Sequence, residues 1–355
     1  MKNVTYINGK FLSQEMTGAQ RFASEISKYL VKNFNHYVVL APNNIIHHDL
    51  AKELNVKILS GFNGILWEQI TLRNFLIKEK DTPLLINLSF TAPIFYKNNV
   101  ISILDLIYQN KDWVSYRFHY YYSFLVPILA AKAKQIITIS NFSKKDIVQK
   151  LKINPKKISV IYCGVSDRLV PNKAKNKFGK YVLGVSTLNK RKNFQGLINA
   201  FIKSNLEEYN LVIVGSKNNK VFQKALYNFE EEFEKRIIFT GNVSDYELAS
   251  LFSNAELFVF PSYFEGFGLP PLEAMSLGCP TVVSNTSSLP EVCGNASCYF
   301  NPSDVDDISL AIKKVIQNQN YRSDLIKNGY ENIKRFSWED SSNKLNEVIK
   351  AFHLN

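Results

Sequence analysis

Short apolar segments alternate with longer amphipathic segments along the whole chain, and this alternation restricts the fold more than any other feature. The predicted strands are residues 4–8, 37–41, 84–88, 100–104, 136–140, 181–186, 211–214, 237–239, 257–260 and 281–284. The predicted helices are 18–32, 143–151 with Ser143 as N-cap, 193–204, a long helix around 221–233, one opened by the capping box Ser244–Glu247, 304–317, 321–336 and 338–352. We therefore predict an α/β chain of parallel, doubly wound sheets with helices on both faces.

A length of 355 residues indicates two domains, each with its own core. The polar region 165–180, which contains Pro171 and a run of Lys and Asn, is the best linker candidate. We predict one Rossmann-like domain at residues 1–168 and a second at 169–336, facing each other across a central cleft. Ligands of such sheets bind beyond the carboxyl ends of the strands.

Positive charge is concentrated in the first half of the chain. Residues 1–170 carry 22 Lys and Arg against 11 Asp and Glu, whereas residues 171–355 carry 21 against 20. A basic half favours an anionic partner: phospholipid, a pyrophosphate-linked substrate or nucleic acid. The aromatic and basic stretch 113–134 is predicted either to lie on a bilayer surface or to form a core helix with solvated lysines.

Composition also restricts the cellular compartment. The N-terminus lacks the apolar core of a secretory signal, and the uncharged stretch 120–131 is shorter than the ~20 residues of a spanning helix. Four cysteines without a CxxC pair are typical of reduced thiols in a cytosolic protein. We therefore expect a cytoplasmic protein.

The segment 257–275 has the pattern of a phosphate-binding turn between a strand and a helix. An apolar strand ends at Pro261, a loop with Gly266 and Gly268 follows, and Pro270-Pro271 stands where a helix can begin. The backbone N–H groups and the dipole at a helix N-terminus favour an anion such as phosphate.

Two carboxylates, Glu265 and Glu273, bracket this turn. Because carboxylates repel phosphate, we expect their partners to be hydroxyl groups, and phosphate flanked by hydroxyls describes a nucleotide-sugar. The alternative is a buried strand–turn–helix corner that carries two surface glutamates.

Two further junctions between a strand and a helix have residues suited to a diphosphate. Lys190, Arg191 and Lys192 follow the predicted strand 181–186, where cations can neutralise phosphate charge, although such a run alone is more often a solvated loop. In the basic half, Thr17 is predicted to cap a helix, and Gly18 lets a ligand approach the backbone. An ordinary capped helix explains this second junction equally well.

Together these residues resemble the retaining glycosyltransferases of family 4, which have the GT-B fold. Glu265 and Glu273 form the E-x7-E pattern of that family, and the tract EGFGLPPLEAM (265–275) followed by GCPTVV (278–283) is the most specific part of the match. The other matching segments are TGAQR (17–21), WEQ (67–69), NLSFTAP (87–93), TISNFS (138–143), RKN (191–193) and SLPEV (288–292). The chain looks like the bacterial mannosyl- and rhamnosyltransferases that build surface polysaccharide.

The resemblance implies donor-binding roles for the turn. Glu273 is expected to accept hydrogen bonds from the ribose hydroxyls, and Glu265 is expected to lie beside the donor sugar. The backbone N–H groups of Phe267, Gly268 and Leu269 are expected to hold the sugar or the distal phosphate.

The resemblance also implies how the departing diphosphate is stabilised. Arg191 and Lys192 are expected to stabilise its negative charge, and Gly18 is expected to approach it across the cleft. With these cations and a helix N-terminus no metal is needed. The sequence Asp304-Val305-Asp306 spells a DxD, but it follows Pro302 at a helix start and is interpreted as capping.

The chain departs from related enzymes beside the strand 100–104. Leu104 precedes Asp105 where relatives often have a histidine that is thought to position the donor sugar or the acceptor, and leucine cannot form that hydrogen bond. Asp105 remains the candidate for acceptor binding or proton acceptance. His119 lies in an aromatic stretch and is no obvious substitute.

A second departure lies at the end of the strand 181–186. Ser186-Thr187 stands where some relatives have Gly-Arg. Ser186 stays a candidate donor-binding residue, and more of the positive charge then depends on Arg191 and Lys192.

The expected function is transfer of a hexosyl unit, with mannose or rhamnose favoured, in O-antigen, lipopolysaccharide or capsule synthesis. The donor is expected to be a GDP-, dTDP- or UDP-sugar, with no further cofactor and no nucleic acid. The acceptor is expected to be a polyprenyl-pyrophosphate-linked saccharide, and the protein is expected to be peripheral at most on the cytoplasmic face of the inner membrane. The last helix, residues 337–355, is expected to pack back on the first domain, as in similar proteins. The alternatives are a non-hydrolysing sugar-nucleotide epimerase and a non-catalytic protein that binds a membrane surface or nucleic acid.

Overall fold

Two units, each built around its own parallel sheet, make up the protein. The computed structural model describes residues 4–165, 167–172, 176–215 and 233–352. One unit consists of residues 1–164 and 337–355, and the other consists of residues 165–336. The predicted helix around 221–233 falls almost entirely outside the described residues.

The first unit contains a seven-stranded parallel sheet with the order β3-β2-β1-β4-β5-β6-β7. Its strands are β1 (Thr5–Asn8), β2 (Tyr37–Ala41), β3 (Lys57–Ile58), β4 (Leu84–Asn87), β5 (Asn99–Ser102), β6 (Gln135–Thr138) and β7 (Ile158–Val160). The helices of this unit that precede residue 165 are α1 (Gly18–Asn33), α2 (His48–Glu53), α3 (Gly64–Leu66), α4 (Arg73–Lys78), α5 (Tyr116–Lys132) and α6 (Asn141–Leu151). A π-helical segment, Trp67–Leu72, joins α3 to α4.

The second unit contains a six-stranded parallel sheet with the order β10-β9-β8-β11-β12-β13. Its strands are β8 (Lys180–Val185), β9 (Tyr209–Val214), β10 (Ile237–Gly241), β11 (Leu257–Phe260), β12 (Thr281–Ser284) and β13 (Ser297–Phe300). The helices are α7 (Phe194–Ser204), α8 (Asp245–Asn254), α9 (Leu269–Ser276), α10 (Leu289–Cys293), α11 (Val305–Gln317) and α12 (Gln319–Ile333). These two sheets confirm the predicted pair of doubly wound α/β domains.

The central strands are buried along their whole length because both faces of each sheet are covered. All four residues of β1 are buried between its neighbours β2 and β4, and all four residues of β11 are buried between β8 and β12. Strands buried on both faces read as continuous hydrophobic runs rather than as alternating patterns. This is why the central strands could be predicted from short apolar runs.

The last helix, α13 (Trp338–Lys350), belongs to the unit formed by residues 1–164. The Trp338 ring packs against Phe22 of α1 with 6.1 Å between the ring centroids. Tyr37 donates a hydrogen bond to Asn346 at 2.9 Å. Gly164 allows the close approach, because a Cβ there would lie 2.3 Å from the Trp338 backbone nitrogen.

The predicted N-caps of the helices were only partly confirmed. The capping box of Ser244 and Glu247 and the capping role of Asp304 are confirmed, since the side chains of all three residues accept from backbone N–H groups at their helix starts. The prediction for α6 was wrong: its N-cap is Ser140, whose hydroxyl accepts from the Ser143 N–H at 3.0 Å. Thr17 occupies the N-cap position of α1 but bonds to the Gln20 side chain instead of the backbone.

Several short elements were not predicted, because their sequences are too short or too mixed to show a period. They are α2, β3, the helical stretch from α3 to α4, β7, α10 and β13. No helix within the described residues is both long and apolar enough to cross a membrane. All four cysteines are buried and none forms a disulfide.

Candidate active site

The candidate site lies at the carboxyl edge of the second unit's sheet, where the strand order reverses. Strands β8 and β11 are parallel neighbours at the centre of that sheet, with Val182 paired to Leu257. Crossovers leave these two strands toward opposite ends of the sheet, which leaves a crevice outside their carboxyl ends. The residues predicted for donor binding follow these two strands, so the topology brings both loops to one edge.

The loop after β11 is held by buried hydroxyl groups. The Ser288 hydroxyl lies 2.9 Å from the Glu265 carbonyl oxygen and 2.8 Å from that of Phe267, and the Glu265 N–H donates to the Ser287 hydroxyl at 2.9 Å. Gly268 has φ +102°, and a Cβ there would lie 2.6 Å from Leu289 Cδ2. Only glycine therefore fits at the residue before α9.

Helix α9 begins with few backbone donors. Pro270 and Pro271 stand in its first turn and have no N–H, and Gly268 offers no side chain as a cap. The N–H groups of Gly268 and Leu269 donate to no other described residue. Two donors at a helix N-terminus can bind an anion, as the sequence predicted for this turn.

Glu265 is buried between two cations. Lys192 Nζ lies 2.5 Å from Oε1 and Arg191 Nη1 lies 3.0 Å from Oε2, while only 8% of Glu265 is exposed. Burial raises the pKa of the Glu265 carboxyl, but the charges of Arg191 and Lys192 outweigh this effect and lower it to about 2. The cluster carries two cationic side chains and one carboxylate.

The loop after β8 presents these two cations in a fixed geometry. The Asn189 side chain accepts from the Lys192 N–H at 3.3 Å, and the Tyr263 N–H donates to the Arg191 carbonyl at 2.9 Å. Asn193 adopts φ +52° and donates to the Pro302 carbonyl at 2.7 Å. The loops after β8 and β11 are therefore fastened to each other by backbone bonds as well as by the ion pairs.

Glu273 lies in the second turn of α9 and is 7% exposed. Its Oε1 lies 2.6 Å from Nη2 of Arg168, whose Nη1 also pairs with Asp245. Sequence reasoning missed Arg168, because it lies in the region interpreted as a linker and 105 residues from its partner. No motif signals this contact.

Ser186 lies directly after β8 at the same sheet edge, and its N–H donates to the Val214 carbonyl at 3.1 Å. Its hydroxyl makes no hydrogen bond to Glu265 or Glu273, all three being described residues. Its predicted part in donor binding is not visible as a contact within the chain and stays a prediction.

The predicted residues of the first unit have modest local roles. Asp105 accepts from the Ile107 N–H at 3.0 Å, and Leu104 before it is buried. A ring nitrogen of His119 lies 2.7 Å from the Tyr108 carbonyl oxygen, a contact within the fold. A Cβ on Gly18 would meet no atom within 4 Å, so the start of α1 has open space beside it. The predicted ligand roles of Asp105 and Gly18 stay predictions.

Comparison with known families identifies both units. The model described as "Glycosyl transferases group 1" matches residues 165–332, and the model described as "Glycosyltransferase Family 4" matches residues 16–169. The two models together span residues 16–332, and the chain belongs to the glycosyltransferases that they describe. The resemblance predicted from the sequence is thereby confirmed.

Two mannosyltransferases and one solved structure illustrate what the chain is similar to. O-antigen chain mannosyltransferase B of Escherichia coli is 33% identical over 237 residues, which cover 62% of this chain and 61% of that protein. O-antigen chain mannosyltransferase RfbU of Salmonella typhimurium is 29% identical over 301 residues, 83% of this chain and 80% of RfbU. Anabaena Alr3699/HepE, solved with UDP, superposes with a TM-score of 0.78 at 16% identity over 99% of this chain and 100% of that one.

One further polar cluster of this glycosyltransferase lies in the first unit, where its strand order also reverses, between β1 and β4. Glu68 is fully buried on the π-helical segment and pairs with Lys10 at 3.1 Å. Its Oε1 also accepts from Asn8 at 2.8 Å and from Thr91 at 2.8 Å. The sequence showed Glu68 within the matching segment WEQ but gave no role for it, because the segment alone does not reveal its partners.

Proposed function

We propose that this protein is a retaining glycosyltransferase that moves a hexosyl unit from a nucleotide-sugar to a lipid-linked saccharide. The observation that carries the proposal is the buried cluster of Glu265, Arg191 and Lys192 at the crevice of the second unit. The cluster carries one excess positive charge, and its Glu265 lies on the loop that leads into α9.

In the proposed reaction the diphosphate of the donor departs with developing negative charge, and Arg191 and Lys192 stabilise it. Preorganised charges in a site with little water are a large contribution to catalysis. Glu265 keeps both cations in place before the donor binds, since its carboxylate bonds to each. Arg191 Nε is buried without a hydrogen-bond partner among the described residues, so this guanidinium has bonding capacity left. Because these cations supply the charge, we propose a reaction that does not require a metal.

The donor is proposed to be bound through its ribose by Glu273. Glu273 supplies a carboxylate from α9, at the same carboxyl edge of the sheet as the cation cluster. The complex of Alr3699/HepE with UDP supports a nucleotide-bearing donor. Mannose is the favoured sugar, as the names of the two mannosyltransferase relatives indicate, with GDP-, UDP- and dTDP-sugars as the donors to test.

The acceptor is proposed to be a polyprenyl-pyrophosphate-linked saccharide at the cytoplasmic face of the inner membrane. The names of the two O-antigen relatives support this class of acceptor. The basic first half of the chain suits a pyrophosphate group and an anionic membrane. Asp105 is our candidate for contacting the acceptor hydroxyl.

A thermal-shift screen followed by a transfer assay tests the proposal. Among GDP-, UDP-, dTDP- and ADP-sugars, one should raise the unfolding temperature, because a ligand that binds only the native state stabilises it. With that donor, transfer to a lipid-linked saccharide should give a product that keeps the anomeric configuration, read by NMR. Glu273→Ala should weaken donor binding about tenfold.

Three outcomes would contradict the proposed function. One is the absence of a shift with every nucleotide-sugar. A second is conversion of the donor sugar without any acceptor, which would indicate an epimerase. The third is a product of inverted configuration, which would overturn the retaining mechanism.

Lys190→Met, at an exposed lysine next to the cation pair, serves as the control for the variants.

A further inference from the structure

Arg168 links helices α8 and α9 at the carboxyl edge of the second sheet. Its Nη2 lies 2.6 Å from Glu273 Oε1 in α9, and its Nη1 pairs with Asp245, the first residue of α8. The Arg168 side chain is 20% exposed, while that of Asp245 is 54% exposed. The guanidinium is thus anchored on one side by an exposed carboxylate and contacts a buried one on the other.

Only one oxygen of Glu273 is engaged by this contact. Oε1 accepts from Arg168, whereas Oε2 accepts no hydrogen bond from any described residue. A carboxylate has about four lone-pair sites, so a neighbouring hydroxyl can still bond to Oε2 while Arg168 stays in place. An arginine that blocked this carboxylate would be expected to cover both oxygens in the bidentate manner.

We propose that Arg168 is a positioning residue that fixes the Glu273 carboxylate for the ribose of the donor. The inference depends on the proposed function, since it assigns the partner of a residue already proposed to bind ribose. Arg168 holds Oε1 and thereby sets the side-chain rotamer of Glu273, which leaves Oε2 for a ribose hydroxyl. Asp245 keeps the guanidinium oriented between the two carboxylates.

The chemistry of the contact supports positioning of the ribose carboxylate more than a direct role on the phosphates. Both side chains paired with Arg168 are carboxylates, which leaves this guanidinium with no excess positive charge. An excess positive charge lies instead at Arg191 and Lys192, which share the single carboxylate of Glu265. Arg168 is therefore suited to the hydroxyl-binding part of the site.

Binding of nucleoside diphosphates to the full chain tests this inference. Isothermal titration with GDP, UDP, dTDP and ADP identifies the one that binds the wild type. For that nucleotide, Arg168→Met should raise Kd about five- to twentyfold, and Arg168→Lys should recover part of the loss by keeping one charged contact. The donor KM should rise by a similar factor, while kcat at saturating donor changes less than about twofold.

A double-mutant cycle shows whether Arg168 acts through Glu273. In a Glu273→Gln background, Arg168→Met should change Kd less than about twofold. If GDP, UDP or ADP is the nucleotide that binds, the wild type should also bind it more tightly than its 2′-deoxy form, and Arg168→Met should reduce this preference; for dTDP the same comparison uses its 3′-deoxy form. A purely structural arginine would not alter the ratio between the two sugars.

Arg322→Met is the matched control, because Arg322 pairs with Glu256 at a similar exposure elsewhere in the same unit. It should leave nucleotide binding unchanged. Tighter binding by Arg168→Met, an unchanged Kd, or an equal loss in the Glu273→Gln background would overturn the inference. Failure of the wild type to bind any of the four nucleotides would instead overturn the proposed function. If Arg168→Met does not fold, Arg168→Lys and Arg168→Gln carry the same cycle.

Discussion

Each of the two sheets has a buried Lys–Glu pair beside the point where its strand order reverses, and the two pairs have different surroundings. In the first unit, Glu68 has one cation, Lys10, and its other partners are neutral side chains. In the second unit, Glu265 has two cations, Lys192 and Arg191. The Lys10–Glu68 pair is neutral as a whole. The cluster of Glu265, Lys192 and Arg191 carries one excess positive charge.

The difference indicates that the same place in a doubly wound sheet, the point where the strand order reverses, supports two kinds of chemistry. A charge-balanced pair, with its hydrogen bonds satisfied inside the chain, can fix the geometry of a loop edge without attracting an ion. A cluster with an excess cation favours an anion at the same location. We therefore propose that the diphosphate binds in the second unit, and we expect the first-unit pair to act mainly on stability.

Lys192→Met gives the largest expected effect and tests the second cluster directly. Turnover should fall about 10²- to 10³-fold, the usual cost of removing one group that stabilises transition-state charge. The measurement is kcat with saturating donor and acceptor. Lys190→Met, which removes an exposed charge from the same turn, should change kcat less than about twofold. Equal losses for the two variants would mean that the cluster geometry has no special role.

The corresponding change in the first unit is Lys10→Met, which we expect to lower the stability of the fold. It leaves the Glu68 carboxylate buried without its cation, and the free energy of unfolding should fall by about 3–5 kcal/mol. Urea denaturation measures this loss. The double change Lys10→Met with Glu68→Gln should recover much of it, because no unpaired buried charge remains.

The control for this stability prediction is Lys28→Met, which breaks only partly exposed ion pairs. Such pairs contribute about 0–1 kcal/mol, so the variant should unfold nearly like the wild type. If Lys10→Met is equally mild, the first-unit pair does not act as the fold suggests.

The two clusters also differ in how far the sequence could predict them. The turn around Glu265 and Glu273 could be recognised because its glycines, prolines and carboxylates are neighbours in the chain. Lys10 and Glu68 are 58 residues apart, and their pairing depends on a π-helical segment that no local pattern announced. Contacts made by folding distant segments together leave no periodic signal.

The same reason explains the other gaps. Arg168 reaches Glu273 over 105 residues of sequence, so its role could only come from the structure. Ser140 and Ser143 are both serines near the start of α6, and the choice of cap depends on which backbone N–H is oriented toward a hydroxyl. The architecture, by contrast, could be predicted because the alternation of strands and helices involves the whole chain.

Acid should expose the difference between Glu265 and an ordinary surface carboxyl. The folded-state pKa of Glu265 is depressed from 4.5 to about 2, so its stabilising effect is complete above pH 4.5 and is lost as the pH falls toward 2. Glu265→Gln should therefore be less stable than the wild type at pH 7, and the difference should shrink between pH 5 and pH 3. Glu331→Gln, at an exposed pair, should show almost no pH-dependent difference, and parallel curves for all three proteins would contradict this assignment.

The smallest expected effect concerns the surface of the first unit. Helix α5 buries Leu125, Val126 and Leu129 near its C-terminal end. Toward its N-terminal end it exposes Tyr116, Tyr120 and Phe124, which are four residues apart and 72%, 61% and 71% exposed. The core-helix alternative for the stretch 113–134 thus describes the C-terminal part of α5, and the bilayer alternative stays a prediction for its N-terminal part.

If the acceptor is lipid-linked, this exposed aromatic row is the part of the first unit best suited to a bilayer. The Nζ atom of Lys111 lies 5.9 Å from the centroid of the Tyr120 ring and supplies a neighbouring cation. Phe124→Ser should weaken binding to vesicles of phosphatidylglycerol and phosphatidylethanolamine about three- to tenfold in a flotation assay, since burying a phenyl ring contributes about 1.5–3 kcal/mol when complete. Leu310→Ser, at a residue of the second unit that is 64% exposed, should leave vesicle binding unchanged. Equal loss in both variants would show that membrane contact is not specific to the first unit, and the contrast between a membrane-facing and a donor-binding unit would then fail.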